Sequence, residues 1–421
     1  MCKLDSGELN MRILTLTDNP NLNSGLARVH RYVLDALIDA GHEVLPCVWF
    51  GYNSQEIEKL RKGEKVQEIF YRNRKMFAVP KGGQNGMMAT TQAIEELKPD
   101  WVITIGDYWD FFFLKSLKTR MDFSFKWLAY ITIEEEDIDS KWKPLFEHMD
   151  VVATPTQFGM KSISKLNIQP HFVPYGVDKI FKPLDHKKRD ELRAEQRVQN
   201  KIRFITVAQN TIRKNLSSIF LGFKELLSRN EDLAKHLSFH IHTNLTARDP
   251  LETYQFDLLR LAEKLDILEY FSFPMSDTAV FSKTAPKDME IAEEYQISDF
   301  CLLTSSSEGF GLPLIESMAC GVPCVGSNNT GITEHISGRG ILIDTKKDVF
   351  SPCFLINAVD AHTVSEAIER AAAIYGSEKY QNMSKEGLAY VSNLTWEGMS
   401  GKLLELMKEV QNGVRIPIEV V

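Results

Sequence analysis

The sequence predicts an α/β protein made of two doubly wound domains in tandem. Three observations carry this. A strand, glycine loop, helix, strand pattern opens near residue 12; the same pattern restarts near residue 203; and 421 residues is room for two or three domains at roughly 150 residues each. Apolar residues make up 43% and charged residues 25% of the chain, which excludes a long disordered protein. There are 49 Lys plus Arg against 57 Asp plus Glu, a net charge of −8. That balance argues against general nucleic-acid binding, which depends on neutralising phosphates, but leaves room for one local basic pocket. No apolar run reaches the ~18 residues of a membrane-spanning helix. Met1 to Glu8 carries acids where a signal peptide needs an apolar run. Six scattered cysteines, Cys2, Cys47, Cys301, Cys320, Cys324 and Cys353, include no Cys-x-x-Cys. They read as reduced thiols in a cytoplasmic protein.

The first strand is Arg12 to Thr17, short and β-prone, ending in the loop Asp18 to Gly25. Leu26, Val29, Val33, Leu34, Leu37 and Ile38 recur at helical spacing until Gly41, and Glu43 to Phe50 is the next strand. Ser24-Gly25 sits before the helix, where free N–H groups and the dipole suit an anion; a plain helix start is the alternative. The loop is not Gly-x-Gly-x-x-Gly, which argues against a dinucleotide enzyme. Residues 61–81 are locally basic, and Pro80 to Gly86 reads as a loop. A helix through Ile94 and Leu97 precedes strands at Trp101 to Gly106 and Lys126 to Ile133. Both strands end in acids: Asp107 with Asp110, and Glu134 to Asp139. Ligands of open α/β sheets gather beyond the carboxyl ends of strands, so Asp107 and Glu134 are the better candidates. Asp137-Ile138-Asp139 is a short metal-like pattern, and no metal is expected on it.

Val151 to Thr156 is a further strand, followed by a helix from Gln157. The charged, apolar-poor stretch from Phe181 to Lys201 marks a linker or domain edge. Arg203 to Ala208 restarts the pattern. A polar loop, Gln209 to Asn215, leads to a helical stripe from Leu216 to Leu227, with Arg213 and Lys214 expected to open that helix and suit a diphosphate. His240 and His242 share one face of a strand but have no third ligand nearby. The richest segment begins with a strand ending at Thr304. The loop Ser305 to Gly311 follows, then a helix from Leu312-Pro313 to Cys320 closed by Gly321. Glu308 lies before the helix and Glu316 about one turn into it, so both carboxylates can face a ligand at its N-terminus.

Glu308 to Glu316 is a Glu-x7-Glu motif within Glu-Gly-Phe-Gly-Leu-Pro-Leu-Ile-Glu-Ser-Met-Ala-Cys-Gly-Val-Pro. It resembles the donor-binding signature of retaining glycosyltransferases of family four, which have the GT-B fold of two Rossmann-like domains facing across a cleft. Ser24 to Val29, Val173 to Asp178 with Phe181-Lys182-Pro183, and Asn328 to Glu334 resemble other stretches of that family. The resemblance implies domains at 1–180 (acceptor side) and 181–398 (nucleotide-sugar side). The closing helix Trp396 to Val410 has Met399, Leu403, Leu404 and Met407 on one face, and residues 399–421 would return to the first domain. It implies a UDP-glucose or GDP-mannose type of donor, with no cofactor and no metal. Glu308 would hold sugar hydroxyls, and Phe310 and Gly311 would offer backbone N–H groups to the sugar and diphosphate, with Leu312 also in the donor site. Glu316 would bind the ribose, Lys214 the diphosphate, and Gly25 would approach from the other domain. Ala208-Gln209 stands where the family usually has Gly-Arg, and Arg213 would supply that charge. Residues 101–147 contain no His, where many members place one near the reacting carbon. Glu134 is the expected replacement, with Asp107 and Glu136 behind it. The base pocket would lie near Phe273-Pro274-Met275. The acceptor stays open among lipid-linked sugars, glycans, proteins and small molecules. An enzyme that breaks or epimerises activated sugars, and an inactive nucleotide-sugar sensor or partner-binding scaffold, stay open as alternatives. For Phe111-Phe112-Phe113 with Trp109 and the nearby basic residues, core packing and a peripheral membrane contact are both open.

Overall fold

A computed structural model of the chain describes residues 10–49, 68–81, 83–243, 245, 256–274, 288–351 and 354–413. The readings made on Met1 to Glu8, residues 61–67, Gly82, Met275 and Cys353 lie outside them. Among the described residues the first sheet holds β1 (Arg12–Asp18), β2 (Glu43–Trp49), β5 (Phe77–Ala78), β6 (Trp101–Gly106), β7 (Lys126–Ile131), β8 (Val151–Thr154) and β9 (His171–Phe172), in the order β5-β2-β1-β6-β7-β8-β9. β3 (Phe70–Tyr71) and β4 (Arg74–Lys75) form a small hairpin beside it. The second sheet holds β10 (Ile202–Val207), β11 (Leu237–His242), β12 (Phe271–Ser272), β13 (Phe300–Leu303), β14 (Cys324–Ser327) and β15 (Gly340–Ile343), in the order β12-β11-β10-β13-β14-β15. A hairpin of β16 (Lys346–Ser351) and β17 (Phe354–Ala358) follows. Every pairing within the two large sheets is parallel.

Parallel strands covered by helices on both faces explain the near-continuous apolar runs. Ile13 packs on one side of the first sheet, with Val29, Leu37 and Leu403, while Leu14 and Leu16 pack on the other, with Ile94 and Leu114. A third cluster, rich in Phe204, Phe220, Phe223, Phe239 and Phe271, fills the outer side of the second sheet. The first cluster is continuous between the domains, running through Tyr175, Phe310, Leu314 and Trp396. The chain passes from the first sheet to the second after β9 and returns after the helix Glu378–Val391. The Val177 N–H donates to the Leu394 carbonyl (3.1 Å) where the two passages lie side by side. The closing helix, Trp396–Gln411, then lies against the helix Gly25–Asp39, with the Trp396 ring stacked on Tyr32 at 4.6 Å.

Three local expectations are corrected. Pro80 to Gly86 is not all loop: a helix begins at Gly83 and runs to Leu97, its first turn carrying glycines that propensity assigns to a loop. Within the presumed linker, residues His186–Glu195 are helical. That helix has little apolar surface and is held by charge instead. Arg189 and Arg193 meet the buried Asp299 at 2.6 and 3.1 Å, and Arg193 also donates to the Ile297 and Lys201 carbonyls. Arg213 and Lys214 do not open a helix. They lie in a 3-10 turn, Ile212–Lys214, ended by Asn215 at φ 50°, and the helix starts at Ser217. Bonds from Ser306 N–H to the Arg213 carbonyl (2.8 Å) and from Thr304 Oγ1 to the Asn215 carbonyl (3.1 Å) tie that turn to the loop after β13.

Among the Phe residues of the notable run, Phe111 is buried, Phe113 packs partly on the core, and Phe112 is exposed. The described cysteines Cys47, Cys301, Cys320 and Cys324 are free and buried. No described helix is long and apolar enough to cross a membrane.

Candidate functional site

Strand order reverses between β1 and β6 in the first sheet and between β10 and β13 in the second. Loops at the carboxyl ends of such strands diverge and leave a crevice. Here both crevices face each other across one cavity of ≈ 490 Å³. Gly25, Asp107 and Glu134 line it from the first domain; Arg213, Lys214, Glu308, Phe310, Gly311, Leu312 and Glu316 line it from the second.

The Glu308 carboxylate is the centre of the second-domain side. Oε1 accepts from Lys214 Nζ (2.5 Å) and Ser305 Oγ (2.6 Å), and Oε2 faces Arg213 Nη1 at 3.4 Å. Its backbone N–H donates to Thr330 Oγ1 (2.9 Å), which fixes the loop to the helix Thr330–Ile336. Burial alone would raise this carboxyl, but Lys214 and Arg213 overcome it and bring the pKa down to about 2. Glu308 is therefore charged throughout the neutral range. Burial and the neighbouring guanidinium lower Lys214. Burial also opposes the Arg213 charge, yet Glu134, Glu308 and Asp107 outweigh it and raise its pKa.

Arg213 reaches across to the first domain, where its Nη1 lies 3.0 Å from Glu134 Oε1. Glu134 also accepts a bond from the Gly309 backbone; burial raises its pKa against the pull of Arg213. Gly309 is required by close approach, since a Cβ there would sit 2.5 Å from Thr132 Cβ. Asp107 directly follows β6 and accepts from Thr132 Oγ1 at 3.3 Å. Burial, then the nearby Glu134, pushes its pKa up to about 7. Glu136 is exposed and does not line this cavity.

Gly311 caps the helix Leu312–Ala319 at φ 96°, a left-handed conformation that glycine adopts without strain. Leu312 Cδ1 lies where a Cβ on Gly25 would be only 3.1 Å away, so the two helix starts nearly touch. Ser24 caps the first of them: its Oγ accepts from Ala27 N–H (3.1 Å) and donates to Asp18 (2.9 Å). One turn on, Arg28 pairs with Glu316 across the cavity and stands 3.4 Å from Asp178. Tyr295 also donates to Glu316 (3.3 Å). Arg28, Asp178 and Tyr295 were not singled out from the sequence; the position of Arg28 one turn after the glycine loop was the available signal.

Of the metal-like patterns, Asp137 pairs with Lys165 (2.7 Å) and Asp139 with Lys141 (2.9 Å). His240 bonds Ser272 Oγ at 3.0 Å, and burial lowers both strand histidines, to about 3 for His240 and about 4 for His242. His242 lines the cavity; His240 does not.

Residues 272–390 match the family described as "Glycosyl transferases group 1". The chain is 24% identical over 238 residues to alpha-monoglucosyldiacylglycerol synthase of Streptococcus pneumoniae, covering 53% of this chain and 49% of that one. It spans 13% to 28% of the length of three further curated relatives. Among solved structures it is similar to sucrose-phosphate synthase of Thermosynechococcus elongatus, with a TM-score of 0.71, 15% identity, and 96% and 100% of the two chains covered. It is also similar to Anabaena HepE in complex with UDP-glucose, with a TM-score of 0.66, 12% identity, and 95% and 100% covered. The fold is that of the GT-B glycosyltransferases, and part of the second domain matches the glycosyl transferases group 1 family.

Proposed function

We propose that this chain moves a sugar from a nucleoside-diphosphate sugar, of the UDP-glucose or GDP-mannose type, to an acceptor hydroxyl with retention at the anomeric carbon. The observation that carries the reading is the Glu308–Lys214–Arg213–Glu134 cluster. It joins both domains beside the Gly311–Leu312 helix start, and Glu308 and that helix start lie within the residues that match the group 1 family.

In this reading the diphosphate takes Lys214, Arg213 and the N–H groups of Phe310 and Gly311, which stabilise negative charge as it develops on the leaving group. Gly25 and the N-terminus of its helix approach from the other side. Glu316 bonds the ribose and Glu308 the sugar hydroxyls. The bond from the anomeric carbon to the diphosphate oxygen breaks. The bond to the acceptor oxygen forms on the same face, and the acceptor proton leaves with the departing phosphate. Glu134 orients the incoming hydroxyl, with Asp107 behind it. Arg213 and Lys214 supply the positive charge that the chemistry needs, without a resident cofactor in this reading.

The test is to incubate the chain with a panel of nucleotide sugars and acceptors, follow released nucleoside diphosphate, and read the product anomer by NMR. Glu308→Ala should lose most turnover while its circular dichroism stays that of the parent. Wild-type turnover in that variant would refute the role of Glu308. Donor binding without release from any donor would replace the transfer reading with a sensing scaffold.

A further inference from the structure

A second cavity of ≈ 440 Å³ lies on the far side of Glu134, and Glu134 alone among the described residues lines both cavities. Its walls also come from both domains. The first domain contributes residues of the Glu135 to Trp142 segment together with Tyr108, Trp109 and Phe158; the second contributes Ser306, Thr330, Lys347 and Asn357. The volume is within the ordinary range of small-molecule sites.

The lining separates possible occupants. Tyr108 is buried and holds two indoles edge-on, Trp109 at 4.8 Å and Trp142 at 5.3 Å between ring centroids. The Tyr108 hydroxyl is itself tied to Glu135. Fixed aromatic faces offer an apolar surface that also attracts a cation. Among the described lining residues five acids, Glu134, Glu135, Glu136, Asp137 and Asp139, stand with two lysines, Lys141 and Lys347; from outside the lining, Arg213 pairs with Glu134 and Lys165 with Asp137. Lys141 is already paired with Asp139 at 2.9 Å. Carboxylates are strong acceptors for hydroxyl and ammonium hydrogens and repel phosphate. Among the described residues its apolar surface is aromatic, from Tyr108, Trp109, Trp142 and Phe158.

We infer that this cavity is the acceptor site and that it takes an uncharged or amino-bearing carbohydrate rather than a phosphorylated acceptor. A pyranose presents an apolar C–H face for an indole and hydroxyls or an ammonium for the acids. Seated there, one hydroxyl lies at Glu134, where the two cavities meet. The inference rests on the transfer reading for the word acceptor. The specificity of the cavity can be measured without transfer.

The experiment is a titration of intrinsic tryptophan fluorescence in the full chain with glucosamine, glucose and glucose 6-phosphate. Glucosamine and glucose should bind, with the phosphate ester at least about ten-fold weaker. Trp142→Ala, and the milder Trp142→Phe, should weaken glucosamine binding, with circular dichroism as the check on folding. Glu136→Lys combined with Asp139→Lys should reverse the order in favour of glucose 6-phosphate. Equal or tighter binding of glucose 6-phosphate to the unaltered chain would overturn the inference. So would a glucosamine titration that neither Trp142 variant moves. Transfer confined to phosphorylated acceptors would overturn it while leaving the transferase reading intact. Glucosamine binding with no donor consumed by any acceptor would refute the transferase reading, and with it the word acceptor, while upholding the specificity of the cavity.

Discussion

The two acids at the heart of the cleft are shifted in opposite directions, and the shifts predict opposite pH behaviour. Asp107 titrates at about 7 in the fold against 3.8 for an ordinary side chain. Between those values the native protein keeps a proton that the unfolded chain has released. Stability from this residue therefore falls as pH rises from about 4 to about 7. Asp107→Asn should remove that part of the slope, so calorimetry between about pH 5 and about pH 7.5 should show a smaller decline in Tm than the parent. An identical slope would refute the assignment. Glu308, depressed from 4.5 to about 2, contributes stability that is fully present above about pH 4.5 and is lost progressively as pH falls from there through its folded value. Lys214→Ala should weaken nucleoside-diphosphate binding by about 1.5–3 kcal/mol, the scale of a hydrogen bond to a charged group; unchanged affinity by calorimetry would refute the site. Glu308, Gly311 and Glu316 were legible in the sequence because one short segment carries them with its strand and helix. Arg28 was not, because its partner Glu316 is 288 residues away.

At the scale of elements, the large strands and the helices that cover them were legible because burial on both faces leaves unbroken apolar runs. The helix His186–Glu195 was not, because charge rather than an apolar stripe holds it. Its two arginines and the Arg203 N–H (2.8 Å) all converge on Asp299. Asp299→Ala would leave those partners uncompensated and should cost about 3–5 kcal/mol, the range for breaking a buried ion pair. Urea unfolding measures it, and a loss below about 1 kcal/mol would show the helix to be held by other contacts. The turn Ile212–Lys214 escaped the sequence for a related reason. The stripe that follows fixes where a helix can exist, but the bonds to the distant loop after β13 decide where it starts.

Across the whole molecule, the site exists only when the domains touch. Gly309 lies against Thr132, Arg213 pairs with Glu134, and Arg28 with Glu316. Gly309→Ala should hold the faces apart, because the new Cβ would come within 2.5 Å of Thr132 Cβ. The expected outcome is a sharp fall in donor turnover with a larger radius of gyration by small-angle X-ray scattering; parental turnover would mean that the loop yields instead. The path of the chain adds a constraint on such motion. It crosses between the domains twice, and the crossings are joined through Val177 and Leu394 and flanked by the stacked Tyr32 and Trp396 rings. Two strands of chain fastened together form a hinge with a defined axis. They can bend as the jaws part, but they resist sliding and twisting. The cavity-lining residues of the two domains should thus return to the same register on every cycle of opening.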